Sequence, residues 1–226
     1  MSTLVLDAGP DGVRAAVVRD DGTVGGSAHH DLALVERDGR LELATDDLWR
    51  AALAAVREVV DGGGTDRPAR MAVTTDPLAT VLWDRETLGS PRPAVLAGTL
   101  DTLAHVAARE PHTWALVVEG RYAVGGLDSY LVARMTLGTW HVTDATHAAA
   151  SGLLDEEAGA WSVVACRSAG IPVAALPELV PTSGLVATTE GRAFAGLALP
   201  VTGLVARDPA ATAADRWRAM AALAAS

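Results

Sequence analysis

The stretch "LVLDAGPDGVRAAVVRD", residues 4–20, decides the fold. Two apolar runs flank a turn that contains Asp7, Gly9, Pro10 and Gly12. Glycine and proline in that position punctuate a chain reversal, so residues 3–8 read as a strand and Val13–Arg19 as its hairpin partner. Val24–Leu34 reads as a third strand.

Working outward, "TDDLWRAALAAVREVV" (residues 45–60) opens on Thr45, an expected N-cap, with acids in the first turn. Trp49, Leu53, Val56 and Val60 recur at helical spacing, and Gly62–Gly64 is the expected stop. "ARMAVTT" (69–75) and "ATVLWD" (79–84) read as strands, and "TLDTLAHVAARE" as a helix ending at Pro111. From Trp114 the chain enters a strand or helix, then a helix carrying Leu127, Tyr130, Leu131, Arg134 and Met135. "DEEAGAWSVVACRSAGI" and "AATAADRWRAMAALAA" read as later helices, and "AFAGLALPVTGLVA" as strand-like. Three antiparallel strands followed by helix, strand, helix and strand is the order of a ribonuclease-H-like α/β domain, a mixed sheet flanked by helices. Residues 1–226 are expected to form one such domain.

The composition narrows the function. Half of the 226 residues are hydrophobic and the net charge is −10. That balance disfavours nucleic acid, and an anionic ligand would have to be gathered locally against the overall field. No apolar run reaches a membrane span and no leader is visible, so a cytoplasmic protein is expected. All 18 basic residues are arginine. Without lysine, a Walker-type phosphate loop and a Schiff-base mechanism are both excluded. The lone Cys166 reads as a small buried hydrophobe. The six histidines show no metal-ligand spacing, which argues against zinc.

Motifs in consistent order carry a family resemblance. "LVLDAGPDGVRAAVVRDDGTV" resembles an opening Asp-x-Gly-Thr-Thr-Ser-x-Arg hairpin, and "LELATDDLWRAALAAVREVV" a Glu-x-x-x-x-x-x-Trp helix. "LDSYLVARMTLGTWHVTDATHAAASGLLDEEAGAWS" resembles Asp-x-Tyr-Leu, Leu-Thr-Gly and Thr-Asp-x-Ser-Asn-Ala in turn. "AGIPVAALPELVPTSG" resembles Gly-Ile-Pro-x-x-x-Leu-Pro followed by Pro-Ser-Ser. Together these resemble the N-terminal domain of the FGGY carbohydrate kinases, of the actin and hexokinase fold type.

The resemblance implies ATP and Mg²⁺ as cofactors and a small sugar or polyol as substrate. It implies phosphate binding at Asp7, Gly9, Gly12 and Arg14, with Asp7 near the metal. It makes Asp208 the counterpart of the general base, and places Asp76 and Asp101 at substrate-binding positions. It also implies a second, nucleotide-binding domain, of which no counterpart is expected in these residues.

The same motifs depart from the family pattern. Pro10, Asp11 and Gly12 stand for Thr-Thr-Ser; Pro10 has no N–H to donate, and Asp11 adds a charge that repels phosphate. Arg207 and Pro209 flank Asp208 where the pattern has Gly and Gln. Asp76 and Pro77 replace a sugar-binding pair, and Ala97–Asp101 replaces a Trp-x-Asp-x-Arg motif. Read without the family, Asp7 is a turn-capping aspartate, and Asp208-Pro209 is a helix N-cap with proline at N1. Two functions are therefore expected as alternatives: a catalytically impaired relative acting as a binding or interaction module, or a kinase working with a separate half or as an oligomer. Trp217, Met220, Ala221 and Ala224 share one helical face, the expected contact for a homodimer or a separate kinase half.

Overall fold

The computed structural model describes residues 1–62 and 67–226. Strands β1 (Ser2–Gly9) and β2 (Gly12–Arg19) form the expected hairpin, with Gly9 opposite Gly12, and β3 (Val24–His30) adds antiparallel to β2. The third strand ends at His30 rather than Leu34. Leu34 instead begins a separate hairpin, β4 (Leu34–Arg37) and β5 (Arg40–Leu43), which turns through Asp38 and Gly39.

Helix α1 (Thr45–Gly62) has Thr45 as its first helical residue, so Thr45 is not the cap. The Ala44 carbonyl accepts from the Asp47 and Leu48 amides there. The helix is described as far as Gly62; Gly63 and Gly64, the rest of the expected stop, lie outside the described residues. Next come β6 (Arg70–Thr75), β7 (Ala79–Asp84), β8 (Ala94–Leu96) and α2 (Thr99–Arg109). Pro111 stops α2 as expected, but it also opens α3 (Pro111–Val118), since proline at the first helical position loses no hydrogen bond.

Strand β9 (Tyr122–Gly125), helix α4 (Leu127–Met135), β10 (Val142–Asp144) and α5 (Ala145–Ala150) continue the chain. The helix expected over residues 155–171 is shorter. A two-stranded ribbon, β11 (Leu154–Asp155) and β12 (Ala160–Trp161), precedes α6 (Val163–Ser168). Gly159 at φ 61° makes the ribbon's turn, and Ser162 caps α6. Strands β13 (Glu178–Val180), β14 (Ser183–Thr188) and β15 (Pro200–Ala206) lead to α7 (Ala213–Ala225). Residues 191–196 turn instead of extending, so the strand expected over 193–206 begins only at Pro200.

The main sheet has the order β14-β15-β6-β1-β2-β3, with β6 parallel to β1 and β15 parallel to β6. That is the expected mixed sheet, antiparallel through its first three strands. The second sheet, β4-β5-β8-β7-β9, forms a lobe beside it. Alternation along β1 explains why both faces of the main sheet are covered. Leu4, Leu6 and Ala8 pack toward α1, against residues such as Leu48, Ala52 and Val56. Val5 points the other way, with Ala16, Val18 and Ala72, and meets Trp217, Met220, Ala221 and Ala224 of α7. The apolar stripe of α7 therefore folds back on its own domain, and the contact expected from it for a partner is used internally.

A buried polar network joins the sheet to α4 and α5. His147 Nδ1 lies 2.6 Å from Asp144 Oδ1 and 3.6 Å from Asp128 Oδ2, and Nε2 lies 2.9 Å from Thr75 Oγ1. Thr143 Oγ1 donates to Asp128 at 2.6 Å. Burial pushes the His147 pKa down, but Asp128 and Asp144 outweigh it and the pKa is raised. His141 goes the opposite way, lowered to about 4 by burial and by the Arg85 charge.

Two outcomes follow from this packing. Trp217→Ala, at a side chain 9% exposed, is expected to cost about 3–5 kcal/mol in urea unfolding; a loss under about 1 kcal/mol would show that α7 does not pack as described. His147 binds its proton more tightly folded than unfolded. Its contribution to stability is complete below pH ~6.5 and is lost as pH rises through the raised value. A ring resonance titrating above 6.5 and missing in His147→Asn is the expected NMR result, beside a His141 resonance near 4. A His147 midpoint below 6.5 would refute the network.

Candidate functional site

The carboxyl ends of the parallel strands β1, β6 and β15 meet at one edge of the main sheet, where open α/β sheets place their ligands. There the β1–β2 turn, the residues after β6 and the residues after β15 surround a hollow of about 310 Å³. Pro10, Asp11, Asp76, Pro77, Arg207 and Pro209 are among its walls. Backbone hydrogen bonds fix the three segments: Asp76 N–H to the Ala8 carbonyl at 2.9 Å, and Arg207 N–H to the Thr75 carbonyl at 2.8 Å. Thr146 Oγ1 accepts from Ala206 N–H at 2.7 Å, which ties this edge to the Asp144–His147 network.

Asp7 lies on the α7 face of β1 and is fully buried. Arg216 of α7 reaches it, donating from Nε at 3.0 Å and Nη2 at 2.7 Å to the same oxygen, Oδ2. Arg207 Nε stands 3.1 Å from the other oxygen, Oδ1. That contact is an ion pair by distance only: neither Asp7 Oδ1 nor Arg207 Nε has an aligned hydrogen-bond partner. The rest of the Arg207 guanidinium faces the turn. Nη1 donates to Asp11 Oδ1 at 2.5 Å and Nη2 to Asp11 Oδ2 at 2.8 Å, a fork-to-fork pair. Arg14 Nη1 adds a third bond to Asp11 at 2.9 Å. The Arg207 hydrogen bonds, with the Arg207 and Arg14 charges, outweigh burial and hold the Asp11 carboxyl far below the usual carboxylate range. Asp11 in turn raises the Arg207 pKa.

The turn glycines have local reasons. Gly12 adopts φ 117°, and a Cβ there would lie 2.6 Å from the His30 carbonyl oxygen. A Cβ on Gly9 would overlap Arg207 Nη1, because the guanidinium lies across the backbone of the turn.

Of the residues singled out from sequence, the fold brings Asp7, Gly9, Gly12, Arg14 and Asp76 to this edge, with Asp208 on its rim. Asp76 Oδ1 accepts from Leu78 N–H at 2.9 Å and its charge acts on Arg207. Asp208 is exposed, and its Oδ1 accepts from Ala210 N–H at 2.8 Å. It caps a turn and not a helix: α7 starts five residues later, capped by Thr212, whose hydroxyl accepts from Asp215 N–H. Asp101 is not part of this edge. It sits exposed on α2, beside a separate hollow lined by Asp38, Arg40 and His105.

Sequence reasoning missed the roles of Arg207 and Arg216. Their signals were an arginine in place of the glycine before Asp208, and an arginine flanking the apolar stripe of α7.

The geometry tests Asp7 as a Mg²⁺ ligand and the turn as a phosphate cradle. The buried Asp7 carboxylate is bracketed by two guanidinium groups, and Arg207 covers the turn where phosphate oxygens would approach. Pro10 offers no amide, and Asp11 presents a negative charge. In this arrangement the residues present do not fit Mg·ATP.

Comparison with known proteins agrees with the fold. Residues 99–213 match the FGGY family of carbohydrate kinases, N-terminal domain. The chain is 28% identical to a glycerol kinase of Xanthobacter autotrophicus over 92% of its own length and 49% of that protein. It is 31% identical to a glycerol kinase of Methylobacterium nodulans, over 92% and 48%. Among solved structures, xylulose kinase from Rhodospirillum rubrum superposes with a TM-score of 0.82 at 23% identity, covering 91% of this chain and 49% of that one. Plasmodium falciparum glycerol kinase with ADP gives 0.80 at 15% identity, over 91% and 48%. The chain thus spans about half the length of the curated relatives it matches. With the match covering half its residues and the sheet order in agreement, the chain belongs to the FGGY family of carbohydrate kinases.

Proposed function

We propose that this chain is a carbohydrate-kinase-like domain that does not transfer phosphate by itself and serves as a binding or interaction module. One observation carries the reading: the Arg207 guanidinium lies over Gly9 and bridges Asp7 and Asp11. Kinases of this family use ATP and Mg²⁺, which need an open cradle and a free carboxylate. Here the protein's own cation takes the place of both. A phosphate could claim Arg207 only by displacing a two-point carboxylate pair, an exchange of one anion for another with little net gain. Against the charge of Asp11 at about 4 Å it would also lose roughly 1–4 kcal/mol, depending on solvent exposure.

The second reading, an ATP-dependent sugar or polyol kinase acting with a separate second half or as an oligomer, draws on Asp208. Its carboxylate is exposed at the end of β15, with one oxygen engaged by a backbone amide. A base in that position is accessible to a hydroxyl brought by a second domain. No helix among the described residues is long and apolar enough to cross a membrane.

Calorimetric titration of the chain with Mg·ATP separates the readings. A dissociation constant no tighter than about 1 mM, near −4 kcal/mol, is expected; one near 10 μM, roughly −7 kcal/mol, would overturn the proposal. So would ATP-dependent phosphorylation of any member of a sugar and polyol panel by the chain alone. Replacing Pro10 and Asp11 with Thr-Thr, with Gly12 kept for its φ of 117°, together with Arg207→Gly, is expected to tighten phosphate binding about tenfold, near 1.4 kcal/mol.

A further inference from the structure

A larger hollow, of about 500 Å³, opens where the first turn of α1 meets the turn after β7, the residues after α4 and the turn before β15. It shares no lining residue with the sheet-edge cleft. Asp46, Arg134 and Arg192 are its charged walls, a formal balance of one positive charge in a chain of net charge −10. The two arginines are held differently. Arg134 is fixed: its guanidinium lies 5.0 Å from the Trp49 ring centre, and Nη1 donates to Tyr130 Oη at 2.8 Å and to the Leu88 carbonyl at 3.3 Å. Its other nitrogens have no hydrogen-bond partner among the described residues and are not sealed from solvent. Asp46 Oδ1 stands 3.6 Å from Nη1 on a side chain 78% exposed, an ion pair of little strength. The Arg192 side chain is exposed and makes no ion pair or hydrogen bond among the described residues.

The apolar walls carry strain. Leu88 and Leu137 both sit in the left-handed region, at φ 59° and 53°, where a Cβ is unfavourable. Leu137 is nonetheless 41% exposed, so burial does not repay its conformation. Their two loops touch: a Cβ on Gly138 would lie 3.3 Å from Leu88 Cδ2. Strained residues cluster where a site uses the resulting shape, and here both leucines line one space.

We propose that this hollow binds a small organic monocarboxylate with an apolar body. Charge selects the class. One carboxylate cancels the single positive charge, whereas a phosphate dianion overshoots it and meets Asp46. A neutral ligand would leave Arg192 without a partner anion. A guanidinium fixed by an aromatic ring and two acceptors needs little ordering to receive a carboxylate. Leu88, Leu137 and Ala193 supply the surface for the apolar body. The site does not depend on the reading of the cleft.

NMR titration of the whole chain with hydrocinnamate tests it, read at the Trp49 indole N–H, which Trp49→Phe assigns. A saturable shift is expected there. Hydrocinnamyl alcohol, the neutral analogue, and phenethyl phosphate, the dianion, are each expected to bind about fivefold more weakly. Arg134→Lys, which keeps the charge and loses the fork, is expected to weaken hydrocinnamate about tenfold. Arg192→Ala, at an exposed and unpaired side chain safe for folding, is expected to weaken it about threefold. Leu137→Gly relieves a left-handed residue and removes an apolar wall, so the thermal midpoint is expected to rise while binding falls about threefold. A merely structural leucine would not give that split. Asp208→Ala is expected to leave binding unchanged, which separates this hollow from the cleft. No shift at Trp49, either analogue binding as tightly as the acid, or binding undiminished in both Arg192→Ala and Leu137→Gly would each overturn the proposal.

Discussion

The buried carboxylate of Asp7 is the constraint on which the rest of this structure depends. It sits in the middle strand of the main sheet with no exposure to water, where an unpaired charge would cost several kcal/mol. Two arginines from distant parts of the chain compensate it, one just past β15 and one on α7. Their demands set the surroundings. Arg216 requires α7 to lie across the β1 face that bears Val5, so the helix is pinned by an ion pair as well as by Trp217 and Met220. Arg207 requires the chain to leave β15 toward the hairpin turn, so this end of the fold closes on itself.

The two arginines are not equivalent. Arg216 also bonds the Ala211 carbonyl, at 2.5 Å, and so ties the segment before α7 to the sheet. Arg207 joins one fully buried acid to a half-exposed one. Removing Arg216 strands a buried charge, a change that acts on stability. Losing the contact to Asp11 leaves Arg207 still beside Asp7, so the outer half of the lock is the part that solvent or a ligand can contest.

Five of the six strands of the main sheet were legible because their signals are local, whereas the edge strand β14 was not expected. Alternating burial on two faces, a Gly-Pro turn and a helix of regular spacing lie in consecutive residues. The second lobe was less so. Its strand β8, like the separate parallel pair β10 and β13, is three residues long, too short for a period, and exists because neighbours complete its hydrogen bonds. Gly159 and Ser162 did mark the break in the expected 155–171 helix, but the apolar run around Cys166 masked it. The site was legible by position but not by its internal contacts. Asp7, Asp76 and Asp208 converge as the family pattern orders them, whereas Arg207 and Arg216 act across 200 residues or more of sequence separation from their carboxylate partner at position 7. Pattern reading has no access to that distance.

The absence of lysine gives these contacts a common character. A guanidinium keeps its charge at every pH at which the fold survives, so the Asp7–Arg207–Asp11 lock cannot be released by deprotonating its cation. Acid could release its outer half only by protonating Asp11, and the same arginine holds that carboxyl far below its usual range. The other buried acid pair, Asp128 and Asp144, relies on a histidine instead, and that cation can be lost at the alkaline side. Thr146 connects the two: its hydroxyl donates to Asp144 and accepts from Ala206, one residue before Arg207. The cleft is therefore closed by a pair that pH does not reach, resting on a base that pH does.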